Sequence, residues 1–149
     1  MSQGQPLPPI YHLVLRLPET RSLRVGSLGP QSFPHGYYVY TGRARRGLAS
    51  RLKRHLRMEK TNHWHIDWLT KVAQMEEIWV DFRPEISECE SHRLILSVPD
   101  ANRPFRGFGS SDCRCHSHLA HFDKMPIFLR KGKPTWRRAL VRVLGSAKR

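Results

Sequence analysis

Apolar and polar positions fall in short runs along this chain, and the period of each run predicts the element it forms. Ile10 to Leu17, IYHLVLRL, alternates enough to predict a strand. Gly36 to Tyr40, GYYVY, is aromatic and β-branched and predicts another. Its end is expected at Thr41-Gly42, where a glycine permits a backbone turn. Between these runs, Pro18 to His35 carries Leu23-Arg24-Val25-Gly26 and reads as an inserted β-like excursion. Leu48, Leu52 and Leu56 recur every fourth residue and predict a helix that starts after Gly47. Lys60-Thr61-Asn62 breaks it, and His63 to Leu69 begins a second helix with Trp64 and Trp68 turned inward. Glu77 to Phe82 reads as a third strand, and Pro84 to Ser97 holds a third helix with Ser87 as its cap. Pro126 to Leu129 reads as an edge strand, and Pro134 opens a terminal helix. In that helix Trp136, Leu140, Val143 and Leu144 make an apolar stripe, and Arg137, Arg138 and Arg142 a basic flank. The whole predicts an α/β (α+β) fold: a small central mixed or antiparallel three-stranded sheet flanked by helices, with a basic C-terminal helix.

A chain of 149 residues suits one domain with its own core. We expect a mobile segment at 1–9, a main domain at 10–123, and a basic extension at 124–149, strand plus helix, packed on the same domain. The net charge of +14 and pI near 10.7 favour a polyanionic partner, and nucleic acid is the first candidate. No apolar run reaches the roughly 20 residues that a membrane helix needs, so no membrane partner is expected. The first residues, MSQGQPLPP, show no signal-peptide pattern. Cys89, Cys113 and Cys115 are odd in number, which points to a reducing cytoplasm and free or metal-bound thiols. Nothing in the sequence indicates a protein partner.

The candidate chemistry begins on the first helix. Arg51 and His55 are four apart and lie side by side beside the leucine stripe, an arrangement for handling phosphate. Arg43, Arg45 and Arg46 precede them in a basic link, and with Lys53, Arg54 and Arg57 they form a ridge suited to phosphate contacts. His63-x-His65-x-Asp67 has metal-ligand composition, yet capping and core hydrogen bonds explain it as well, and His63 reads better as a phosphate contact. Cys113, Cys115 and His118, with His116 and His121 near, could hold zinc, with Cys89 completing the set. Buried small residues and hydrogen-bonded histidines are the alternative, and Asp112 and His118 could equally line a cleft.

The run from Tyr40-Thr41-Gly42 through Arg43 to Arg51 and His55 resembles the second half of the GIY-YIG nuclease signature. Together with RHL, HWHIDWL, ECE and FGSSDCRCHSHL it is similar to the Uri-type subgroup of that superfamily, over roughly Pro8 to Phe122. The resemblance implies a GIY-YIG-like domain with Tyr11 and Tyr40 as the two tyrosines, Tyr11 being the candidate base and Tyr40 holding water or phosphate. It implies a metal-binding glutamate on the third helix, Glu90 with Glu88 in reserve, and a following Asn102. Magnesium or manganese fits one hard carboxylate plus waters. Arg43, Arg51 and the ion are expected to favour the phenolate. The implied activity is metal-dependent endonucleolytic hydrolysis of DNA, structure-directed or weakly sequence-specific, with RNA not excluded. Pro9 stands where the family has a glycine two places before its first tyrosine, and Tyr11 and Tyr40 are farther apart than in the standard motif. A decayed nucleic-acid-binding module and a zinc-stabilised adaptor are therefore the alternatives.

Overall fold

The computed structural model describes residues 9–83, 86–110, 116–126 and 136–139. The first expected strand forms as β1 (Ile10–Leu17), and GYYVY forms the start of β4 (Gly36–Arg43). These two pair antiparallel, Ile10 opposite Arg43 and Leu17 opposite Gly36. The expected excursion between them is a separate two-stranded hairpin, β2 (Arg21–Arg24) and β3 (Pro30–Phe33). On the other side of β1 lies β5 (Gln74–Asp81), and β6 (Leu119–Phe122) pairs with β4. This four-stranded antiparallel core is extended at β5 by β7 (Trp136–Ala139), giving the order β6-β4-β1-β5-β7.

The expected three strands are thus five. The terminal helix is corrected over Trp136–Ala139, which pair with β5 as a strand, and its other residues lie outside the described ones. Four-residue spacing in a basic, tryptophan-containing run was read as a stripe, but β5 would otherwise present an open edge of unpaired backbone groups, and pairing satisfies them. Residues 127–129 of the expected edge strand lie outside the described residues.

Among the described residues three helices cover the sheet: α1 (Leu48–Leu56), α2 (His65–Thr70) and α3 (Glu88–Leu96). Alternation along β1 divides its side chains between two layers. Tyr11, Leu13, Leu15 and Leu17 pack with Leu52, Ile66 and Leu69 of α1 and α2. Val14 turns the other way, toward Val39, Ala120, Phe122 and Ile95 of α3. Both faces being covered explains why β1 is buried at every position except Arg16.

One glycine departs from its expected role. β4 does not turn at Thr41-Gly42 but continues to Arg43, with Gly42 directly opposite Tyr11. A Cβ on Gly42 would sit 2.5 Å from the Tyr11 hydroxyl, so the missing side chain is what admits the phenol. Gly42→Ala is expected to push that ring aside and destabilise the fold by about 1–3 kcal/mol, the usual cost of overpacking a filled core. Urea unfolding measures it, and an unchanged midpoint would show that the phenol has room to move.

Candidate functional site

At the Arg43 end of β4, the start of α1, the approach to α2 and the start of α3 surround a cavity of about 260 Å³. Tyr40 and Gly42 form its floor, and Arg43, Arg45 and Arg51 supply positive charge. His63, Trp64 and His65 form one wall, and Glu88 and Gly109 another. Gly109 adopts φ +70, and a Cβ there would lie 2.8 Å from the Tyr40 ring. Its amide donates to His65 Nδ1 at 2.9 Å, which fixes that ring against the wall.

Behind the floor is a buried pair. The Tyr11 hydroxyl lies 2.7 Å from His55 Nε2, and Arg51 Nη1 reaches the same hydroxyl at 3.5 Å. Tyr11 and His55 are 0% and 1% exposed, so neither faces the cavity directly. Burial raises the Tyr11 pKa above the ordinary phenol value, and the Arg51 charge and hydrogen bond offset this only in part. Burial likewise raises Tyr40 well above it. The arginine part of the expected phenolate stabilisation is therefore corrected, since desolvation outweighs the attraction of Arg51 at both phenols. Burial, then the Lys60 charge, bring His55 down to about 3, so its imidazole is neutral.

The carboxylate in the cavity is Glu88. Its Oε1 lies 3.8 Å from Arg43 Nε and its Oε2 3.5 Å from His118 Nδ1. Glu90, the favoured residue of the sequence reading, is exposed and bonded to its own helix end. Its Oε1 accepts from the Ser87 amide at 3.2 Å, while Ser87 Oγ accepts from the Glu90 amide at 3.0 Å. This is a reciprocal cap, and it turns Glu90 away from the cavity.

The other expected contacts divide. Arg43 donates to the Ile86 carbonyl at 2.7 Å and still lines the cavity, as do the exposed Arg45 and His63. Arg46 is exposed and Lys53 half-buried, and neither is among the lining residues. Arg54 is not a free phosphate contact, because its two terminal nitrogens bond both oxygens of Asp67 at 2.9 and 3.0 Å. Asp67 also accepts from the His63 and Trp64 amides. Burial alone would raise its pKa, but those bonds outweigh burial and hold it below the usual carboxylate value. Its capping role thus prevails over a metal-ligand role shared with His63 and His65. Asn102 is absent from the site and bridges His121 at the sheet edge.

Trp64 turns inward as expected and packs partly buried against the core, and the Arg51 and Arg54 guanidiniums lie over its ring at 4.2 and 4.3 Å from the centroid, so it also orients the site arginine. Its place just before a short helix, among alternating histidines and beside Asp67, was the sequence signal for a capping segment.

Cys113 and Cys115 lie outside the described residues. Among the described residues no group of three or more His, Cys, Asp or Glu side chains is arranged around a common ion. Cys89 is disulfide-bonded, so the expectation of free or metal-bound thiols fails for that sulfur. His118 lies between Cys89 Sγ, at 3.5 Å, and Glu88. No described helix is long and apolar enough to cross a membrane.

A family model described as "Domain of unknown function DUF123" matches residues 10–137. No curated protein and no solved structure matches the chain.

Proposed function

The chain belongs to the DUF123 family, and we propose that the Tyr40–Arg51–Glu88 cavity hydrolyses phosphodiester bonds in nucleic acid, DNA in the first instance. The observation that carries this reading is convergence: a phenol from β4, a guanidinium from α1 and a carboxylate from α3 line one basic cavity. RNA fits the same phosphate chemistry and is the second substrate to assay. The charged surface touches backbone more readily than bases, which suits structure-directed or weakly sequence-specific cutting.

Glu88 is the carboxylate among the described lining residues and, as a hard oxygen donor, would hold magnesium or manganese. Such an ion supplies an acidified water and neutralises phosphoryl charge. Arg51 forks onto two phosphate oxygens, a charge-assisted contact that strengthens as charge develops. Tyr40, protonated, orients the attacking water by its hydroxyl. Tyr11 and His55 are positioning residues: their buried bond fixes the oxygen that Arg51 touches. The water oxygen bonds to phosphorus and gives its proton to solvent through the open mouth, while the bridging P–O bond breaks and the departing oxygen takes a proton from solvent to leave as an alcohol.

Single-turnover cleavage of plasmid and branched DNA, with and without magnesium, tests the proposal. Arg51→Ala is expected to cut about a hundredfold more slowly, as when one donor to a developing oxyanion is removed. Undiminished cutting by that variant sinks the role of Arg51. The rival reading is a binding module, favoured by the approach of Arg43 to Glu88, which competes with a cation. Wild type that binds DNA tightly without cutting it supports that rival.

A further inference from the structure

On the α3 side of the sheet lies a line of buried polar side chains, Asp81, Ser91, His12, Thr41 and His92. Asp81, fully buried, pairs with the Arg83 guanidinium at 2.6 Å and acts as an acceptor. Ser91 Oγ donates to Asp81 Oδ2 at 3.3 Å, so its oxygen accepts from His12 Nε2–H at 2.9 Å. Burial brings the His12 pKa down to about 3 and keeps the ring neutral. Its Nδ1 is then a lone pair, which takes the Thr41 hydroxyl proton at 2.8 Å. Thr41 has given its one proton and can only accept from His92 Nδ1–H, at 2.7 Å. Each bond's direction follows from the one before, and the series leaves His92 Nε2 an unprotonated acceptor.

That nitrogen is buried, on a residue 2% exposed, and has no hydrogen-bond partner among the described residues. His92 lines a second cavity of about 290 Å³, together with Arg93, Leu96, Arg103 and His116. His116 Nδ1 is also buried there without a partner. Buried polar atoms without partners are few in folded proteins, and two of them on residues that line one cavity point to a ligand.

The lining dictates the ligand's chemistry. Two guanidiniums with no carboxylate among the described lining residues repel a metal cation and attract an anion. A phosphodiester or sulfate satisfies the arginines but has no proton to give His92. A phosphate that keeps a P–OH satisfies both, its charged oxygens accepting from the arginines and its hydroxyl donating to Nε2. We propose that this cavity binds a protonated phosphate, inorganic phosphate or a phosphomonoester, through Arg93, Arg103 and the acceptor nitrogen of His92. The site is independent of the hydrolytic reading, because its lining residues differ from those around Glu88.

Calorimetric titration of the full chain with inorganic phosphate and with sulfate, at about pH 6, tests it. Phosphate is expected to bind at least about tenfold more tightly, the value of one hydrogen bond to a charged ligand. The Arg93→Gln/Arg103→Gln double variant is expected to lose binding of both anions. Thr41→Val frees the His92 proton to move to Nε2, and is expected to abolish the preference while sulfate still binds. Two sources share this chemistry. Displacement of bound phosphate by a 5′-phosphorylated oligonucleotide, but not by its hydroxyl-ended counterpart, assigns the site to nucleic-acid ends, and displacement by neither assigns it to the free anion. Equal affinity for phosphate and sulfate in the wild type overturns the proposal, as does phosphate binding that survives the double arginine variant.

Discussion

Glu88→Gln is expected to slow magnesium-dependent DNA cleavage about thousandfold, whereas Glu90→Gln cuts within about twofold of wild type. The two residues lie in the same first turn of α3 and differ in what holds them. Glu88 projects into the cavity shared with Tyr40 and Arg51. Glu90 is folded back onto Ser87, whose side chain and then whose amide hold its pKa below the ordinary value. Glutamine preserves the size of either side chain and removes its negative charge, so Glu88→Gln leaves the cavity shape while discarding the anionic oxygen that a divalent ion requires. Loss should appear in the rate at saturating DNA and be partly restored by raising magnesium. A small drop in melting temperature without loss of rate is the expected signature of Glu90→Gln, because only a cap is disturbed. The reverse pattern, a dead Glu90→Gln and an active Glu88→Gln, would remove the cavity from consideration.

That contrast also shows which features the sequence could and could not disclose. The leucine period of α1 was legible because three leucines had to face one layer, and this spacing placed Arg51 and His55 correctly along the helix. Tyr40 was legible as the aromatic end of an apolar strand. Glu88 and Glu90 are indistinguishable by composition, and only the direction of the Ser87 cap separates them. The signal existed in Ser87-x-x-Glu90, a serine followed three residues later by glutamate, and it assigned Glu90 to the helix end. Gly42 was misread because a glycine at a strand's end suggests a turn, while its reason lies across the ladder, in the Tyr11 hydroxyl. The ridge arginines looked alike in sequence. Arg54 differs from its neighbours because α2 delivers a buried carboxylate to it from 13 residues away. Long-range pairing of this kind, like that of β7 with β5, leaves no local period to read.

Acid is expected to destabilise this protein from about pH 6.5 downward, before its carboxylates begin to protonate. His12, His55 and His92 are buried, and burial is the largest cause that brings each to about 3. In the unfolded chain an imidazole titrates near about 6.5. Above that value both states are neutral and the three groups leave stability unchanged with pH. Between about 6.5 and 3 the unfolded chain binds protons that the folded chain refuses, so stability falls as pH falls. Each imidazole contributes about 1.4 kcal/mol per pH unit in that window, and three together about 4. A domain holding about 5–15 kcal/mol in total exhausts that margin within a few pH units of neutrality. Thermal melts from pH 8 downward should be flat to about pH 6.5 and then fall steeply, with unfolding at ambient temperature by about pH 4. Carboxylate-driven unfolding would begin lower, since Asp67, whose folded pKa is depressed, loses its contribution only as pH falls below the unfolded carboxylate value of about 3.9. His12→Asn, which retains a neutral polar group between Thr41 and Ser91, should reduce the steepness by about a third even if it lowers stability at every pH. A melting temperature that stays level to pH 5 in the wild type would mean that these imidazoles accept protons in the folded state. The neutral series from Asp81 to His92 would then lose its fixed direction.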